Sequence, residues 1–234
     1  MNHVKLSQIL SILALMFGKT ISCPEKCLCF SNNIIVDCDR QQLETLPFNI
    51  PFQTEFLVAS NNKITSLLPL AFQDLPKLFS ITLAYNRLQK LDGDSLRNLP
   101  MLDLIILDHN FLTEVDLEFI LELENLSFLN LAHNSITSVK ADHIKDRPHP
   151  LEIDLRGNPL NCCEMDFLNE VANISLMGHC HYPLELDGIA IENIQAAQLT
   201  CTKTKKVTNS SYACKQIILV IIAVLASMLY FGNI

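Results

Sequence analysis

Asn62, Asn86, Asn110, Asn134 and Asn158 recur every 24 residues, and each stands at the same place in a shared apolar pattern. An apolar residue lies five and three positions before each asparagine and another two positions after it. These are Leu57, Ala59 and Ile64; Ile81, Leu83 and Leu88; Ile105, Leu107 and Leu112; Leu129, Leu131 and Ile136; and Ile153, Leu155 and Leu160. A unit this short cannot bury its own apolar edge. Successive units must therefore stack into a coil whose interior is a continuous ladder of these residues, and stability belongs to the array. The return segments carry apolar marks ten and thirteen residues after the asparagine: Phe72 and Leu75, Leu96 and Leu99, Ile120 and Leu123. The fourth unit keeps Ile144 but puts Arg147 and Pro148 where the next mark belongs, which predicts an irregular outer side there.

This pattern resembles the leucine-rich repeat. The resemblance implies an α/β solenoid with a curved parallel sheet on its concave face and an irregular or short-helical convex face. It also implies that each asparagine amide bonds to backbone groups exposed where the strand turns, a task no apolar side chain can perform.

The nine cysteines divide by position. Cys23, Cys27, Cys29 and Cys38 precede the repeats, Cys162, Cys163, Cys180 and Cys201 follow them, and Cys214 stands alone. Each open end of a solenoid exposes ladder residues, and a small cap with little core of its own needs staples. The segment from Cys23 to Pro47 resembles the amino-terminal cysteine cap of extracellular leucine-rich-repeat proteins. The segment from Asn158 to Cys201, opening with Asn-Pro-Leu, resembles the carboxy-terminal cap. Together with the repeats, the likeness to Slit-like, Toll-like and variable-lymphocyte-receptor ectodomains covers residues 23–201. It implies the pairs Cys23–Cys29, Cys27–Cys38, Cys162–Cys180 and Cys163–Cys201. Cys162 and Cys163 are adjacent, whereas the family separates that pair by one residue, and four cysteines admit three connectivities. A zinc site is the rival reading, disfavoured in a secreted chain where disulfides form readily.

Both ends carry processing signals. Lys5, the apolar run from Ile9 to Phe17, and Thr20 and Ser22 before Cys23 read as a secretory signal peptide over residues 1–22. The expected organisation is then a cap over 23–53, repeats over 54–157 with the fifth running into the second cap, that cap over 158–201, a stalk over 202–216 and an apolar tail over 217–234. The run from Ile217 to Phe231 would span about 22 Å as a helix, short of the roughly 30 Å hydrocarbon core. No Lys or Arg follows it. A glycosylphosphatidylinositol signal fits better, with attachment at Asn209 or Ser210, although the spacer before the tail is short. Removing the tail would also remove Cys214 and leave an even number of cysteines. A single short transmembrane helix is the alternative. Either way the expected place is the outer face of the plasma membrane.

Without Lys5, Lys19 and Lys215, the 17 basic residues fall to 14 against 25 acidic ones, a mature charge of about −11. Nucleic acid and heparin are poor partners for such a surface. Sequons at Asn125-Leu-Ser127 and Asn173-Ile-Ser175 predict N-glycans, the first at the edge where a strand begins; a third, at Asn209, overlaps the anchor site.

Positions that alternate with the ladder face outward on the concave sheet. Among them Phe56, Val58, Leu104, Ile106 and Phe128 form an unusually apolar group, with Asp108 and Asn130 beside it. Such a patch is expected to mark a protein partner site. Tyr85, His109 and His133 each precede a repeat asparagine and should form a row. With Asp108 this row offers ligands to a metal or a proton, but only two imidazoles converge, and a polar and aromatic contact strip is the expectation. No nucleophile elbow, phosphate loop or paired zinc-binding histidines are present, so neither catalysis nor a cofactor is expected. The reading is a cell-surface recognition, adhesion or co-receptor protein without its own cytoplasmic signalling domain. It would bind an extracellular or membrane protein. A presenter of a secreted factor and a secreted matrix component are the other classes.

Overall fold

The computed structural model describes residues 23–141, 147–165 and 173–194. The signal segment, Cys201, Cys214, Asn209, Ser210, the stalk and the apolar tail lie outside the described residues.

Eight short strands form one curved sheet. A hairpin of β1 (Leu28–Phe30) and β2 (Ile35–Asp37) opens it antiparallel. Each repeat then adds a parallel strand: β3 (Phe56–Val58), β4 (Ser80–Thr82), β5 (Leu104–Ile106), β7 (Phe128–Asn130) and β9 (Leu151–Asp154). The last strand is β11 (Ile174–Met177) from the carboxy-terminal cap. Two smaller parallel pairs lie apart from this sheet: β6 (Glu114–Asp116) with β8 (Ser138–Lys140), and β10 (Leu160–Asn161) with β12 (Cys180–Tyr182). The return segments are turns, a 3-10 turn at Gly93–Leu96, and the five-residue helix α1 (Leu117–Leu121), whose first turn is capped by Asp116. The ladder residues Leu57, Ile81, Ile105, Leu129 and Ile153 are buried in line along the sheet.

The asparagines tie each unit to the one before it. Asn110 Oδ1 accepts the Leu88 N–H at 2.9 Å, while its Nδ2 donates to the carbonyls of Leu83 and Leu107, both at 3.0 Å. Asn86, Asn134 and Asn158 repeat the arrangement one unit apart. In the first unit Asn62 accepts from Gln41 and Leu43 of the cap, and so joins the cap to the repeats.

Disulfides join Cys23 to Cys29, Cys27 to Cys38 and Cys162 to Cys180, the pairs the cap resemblance implies. Cys163 is also disulfide-bonded.

Arg147 stands where the apolar pattern of the return segments breaks. It is buried, with 3% of its surface exposed, and it takes the place of the apolar mark. Its guanidinium reaches into the preceding repeat and donates to five backbone carbonyls at and beyond the end of α1. Nη1 serves Ile120 and Leu121; Nη2 serves Leu123, Glu124 and Leu126. Backbone N–H groups also reach the Ile120 and Leu123 carbonyls, and the guanidinium adds a cation at the helix end, where the carbonyl dipoles favour one. Burial pushes the guanidinium below its ordinary pKa, opposed by the nearby Glu124 carboxylate.

Candidate functional site

Strand register builds two continuous rows across the concave face. The first runs Phe30, Ile35, Phe56, Ser80, Leu104, Phe128, Glu152 and Ser175; the second runs Leu28, Asp37, Val58, Thr82, Ile106, Asn130, Asp154 and Met177. Of the five apolar residues expected to be exposed, Phe56 is open to solvent at 37%. Val58, Leu104, Ile106 and Phe128 are half-buried, because short strands on a concave surface crowd their outward side chains together. The same crowding buries Ser60, Ser80, Ala84, Ala132 and Asp154, which also alternate with the ladder.

The most exposed apolar side chains lie at the amino-terminal end of the face. Leu28 is 63% and Phe30 48% exposed, both on the cap hairpin. Phe79, just before β4, packs its ring against Phe56 with centroids 5.7 Å apart. Sequence reasoning on the repeats passed over Leu28 and Phe30, although the alternation Leu28-Cys29-Phe30 beside buried Val36 carries the same two-residue signal. The other end of the face is polar, with Glu152, Asp154 and Arg156.

Tyr85, His109 and His133 come together as a stack along the edge where the strands end. Tyr85 and His109 lie 4.1 Å apart, centroid to centroid, and His109 and His133 lie 4.6 Å apart. Their backbones make the stack possible. All three residues adopt left-handed φ, between 53° and 55°, and each donates its N–H to a carbonyl of the next repeat. That conformation costs an ordinary residue about 1–2 kcal/mol, and here the repeating turn imposes it. Gly157 holds the next position, with φ 73°, and His133 lies over it: a Cβ there would sit 2.5 Å from His133 Nδ1. His109 Nδ1 meets Asp108 Oδ2 at 2.8 Å, which orients the imidazole. Among the described residues no group of three His, Cys, Asp or Glu side chains is placed to hold a metal ion.

The charged groups at this face are mostly acidic. Asp37, Asp39, Asp108, Glu152 and Asp154 lie there, with Arg40 paired to Asp39, Arg156 to Asp154 and His109 to Asp108. Burial pushes the Asp154 carboxyl up, but hydrogen bonds from the Arg156 side chain and backbone together outweigh it and hold the group below the usual carboxylate range. Asn130 Oδ1 is engaged internally by the Ala132 N–H at 2.9 Å. Both sequon asparagines, Asn125 and Asn173, are exposed at the opposite edge, where strands begin.

A ladder of buried asparagines under a parallel concave sheet, closed at each end by disulfide-bonded caps, defines a leucine-rich-repeat protein of the ectodomain type. The family described as "Leucine rich repeat" matches residues 54–112 and 102–160. Leucine-rich repeat and immunoglobulin-like domain-containing nogo receptor-interacting protein 2 of Mus musculus is 38% identical over 72 residues, which are 31% of this chain and 12% of that protein. Leucine-rich repeat-containing protein 3 of Danio rerio is 31% identical over 80 residues, 33% of this chain and 30% of that one. The solved TLR13–ssRNA13 complex superposes with a TM-score of 0.56 at 25% identity, covering 68% of this chain and 24% of the other. The chain thus spans well under half the length of each. Among the described residues no helix is long and apolar enough to cross a membrane.

Proposed function

We propose that this chain is a cell-surface recognition module that binds a protein partner through its concave face and performs no catalysis. The observation that carries the reading is the apolar group across the register rows, from Leu28 and Phe30 through Phe56 to Leu104, Ile106 and Phe128, interrupted by Asp37, Ser80 and Thr82. Large apolar side chains left open on a rigid sheet are the usual anchors of a protein interface. The aromatic stack and the acidic groups around them provide polar contacts at the rim. A relative whose name describes it as interacting with a receptor supports this class. The ssRNA in the TLR13 complex belongs to that protein. The acidic groups on the present face argue against a phosphate backbone as its ligand.

On this reading the protein acts as an adhesion molecule or co-receptor, held at the outer face of the plasma membrane by a lipid anchor at Asn209 or Ser210. Phosphatidylinositol-specific phospholipase C should release it from expressing cells; retention with Cys214 and the tail intact points to a short transmembrane helix instead.

The binding reading is tested with tetramers of the ectodomain on cells that display a library of cell-surface and secreted proteins. Ile106→Arg and Phe56→Arg should abolish staining of the partner while secreted yield and melting temperature stay at the parent value. Staining that survives both substitutions removes the concave face as the binding site.

A further inference from the structure

The two sequons lie 48 residues apart in sequence, yet they line a single cleft of about 670 Å³ that also holds Ser127, Ser175, His149 and Glu152. Asn125 precedes β7 and Asn173 precedes β11, and these strands flank β9. The two asparagines are therefore separated by two strand spacings, about 10 Å, along the edge where the strands begin. Each is exposed, and each Nδ2 makes a hydrogen bond to a main-chain carbonyl, Asn125 to Pro100 at 2.6 Å and Asn173 to Arg147 at 3.1 Å. An amide nitrogen carries two hydrogens. One can stay on the carbonyl to fix the direction of the stem while the other is replaced. The edge where the strands end has no Asn-x-Ser/Thr sequence and carries the ring stack.

We propose that Asn125 and Asn173 both carry N-linked glycans, and that the pair walls off one edge of the sheet. A protein partner then reaches the concave face across the opposite edge, over Tyr85, His109 and His133. In the modification, a new bond from Nδ2 to a sugar C1 replaces one amide N–H. The C1–O bond to a lipid-linked pyrophosphate donor breaks, and the proton leaves with the pyrophosphate. Two branched sugars rooted about 10 Å apart on one rim sweep overlapping volumes, so they exclude a macromolecule from that side while leaving small solutes free. The direction of approach rests on the concave-face reading; the glycans and the wall do not.

The test uses the full chain secreted or displayed by cultured animal cells, with no partner present. Peptide mass spectrometry should find both asparagines occupied. Ser127→Ala and Ser175→Ala should each remove one glycan while keeping the asparagine and its carbonyl bond. Hydroxyl-radical footprinting of the native glycoprotein should show His149 oxidised several-fold less than after the glycans are trimmed to one sugar, with Tyr85 and His109 oxidised equally in both. An empty site, equal oxidation of His149 in the two forms, or equal protection of Tyr85 overturns the proposal. None of these outcomes bears on whether the concave face binds, which the Ile106→Arg experiment decides separately.

Discussion

Replacing Arg147 by leucine would restore the apolar mark that Leu75, Leu99 and Leu123 supply in the other repeats, yet the structure predicts a loss of stability. Five carbonyls share the guanidinium, but the contacts to Ile120, Leu121 and Glu124 are long, at 3.4, 3.2 and 3.2 Å. Only those to Leu126 at 2.8 Å and Leu123 at 2.9 Å are counted at full strength. A hydrogen bond from a charged donor contributes about 1.5–3 kcal/mol, so the two together contribute roughly 3–6 kcal/mol. Part of this is offset, because the buried cation is costly to desolvate and its Nε has no partner among the described residues. A net loss of about 3 kcal/mol remains. For a domain of this size each kcal/mol moves the melting temperature by about 2–4 °C, which predicts a fall of about 6–12 °C. Thermal unfolding of the secreted ectodomain, followed by circular dichroism, measures it. Arg147→Lys should fall in between, since an ammonium keeps the charge but cannot span the carbonyls. If Arg147→Leu melts within about 2 °C of the parent, or above it, the carbonyls find other partners and the capping argument is wrong.

Asn110→Leu strands the Leu88 N–H in the core, at about 1–3 kcal/mol, and takes one of two asparagine donors from each of the Leu83 and Leu107 carbonyls, which Asn86 and Asn134 still serve. Secretion should collapse, and any secreted material should unfold at a clearly lower urea midpoint; normal yield and midpoint would contradict this role of the ladder. Gly157→Ala puts a Cβ into the space of His133 and forces alanine into the left-handed region, so melting should fall by several degrees and the His133 imidazole NMR signals should move. Unchanged His133 signals would mean that the ring does not rest on Gly157. The pH dependence follows from Asp154, whose folded pKa lies below its unfolded value. Its stabilising contribution is present at neutral pH and is lost as the pH falls below about 4 and through the folded value. Asp154→Asn should flatten the acid limb of the unfolding curve, and an unaltered limb would show that the pair with Arg156 does not contribute.

The solenoid was legible because its period is a packing requirement: leucines and asparagines must recur in step for neighbouring turns to share one core and one line of hydrogen bonds. The row of Tyr85, His109 and His133 was legible for the same reason. Their left-handed backbones and ring stacking were not, since nothing in a tyrosine or histidine asks for positive φ. The eighth strand also escaped, because Ile174 pairs with Leu151 at an interval of 23 residues and falls out of phase with the repeat.

The primary sequence by itself determined the array, its two cysteine-rich ends and the faces of its strands, because each is encoded in local spacing. Only the tertiary structure decided how much of Phe56, Leu104 and Ile106 meets solvent, since the curvature of stacked turns sets that crowding. It also decided that a cap hairpin extends the apolar face, that Arg147 closes the carbonyls of the repeat before it, and that two distant sequons share one cleft. These contacts join residues about one turn or more apart along the coil, and no local pattern records which side chains the coil brings together.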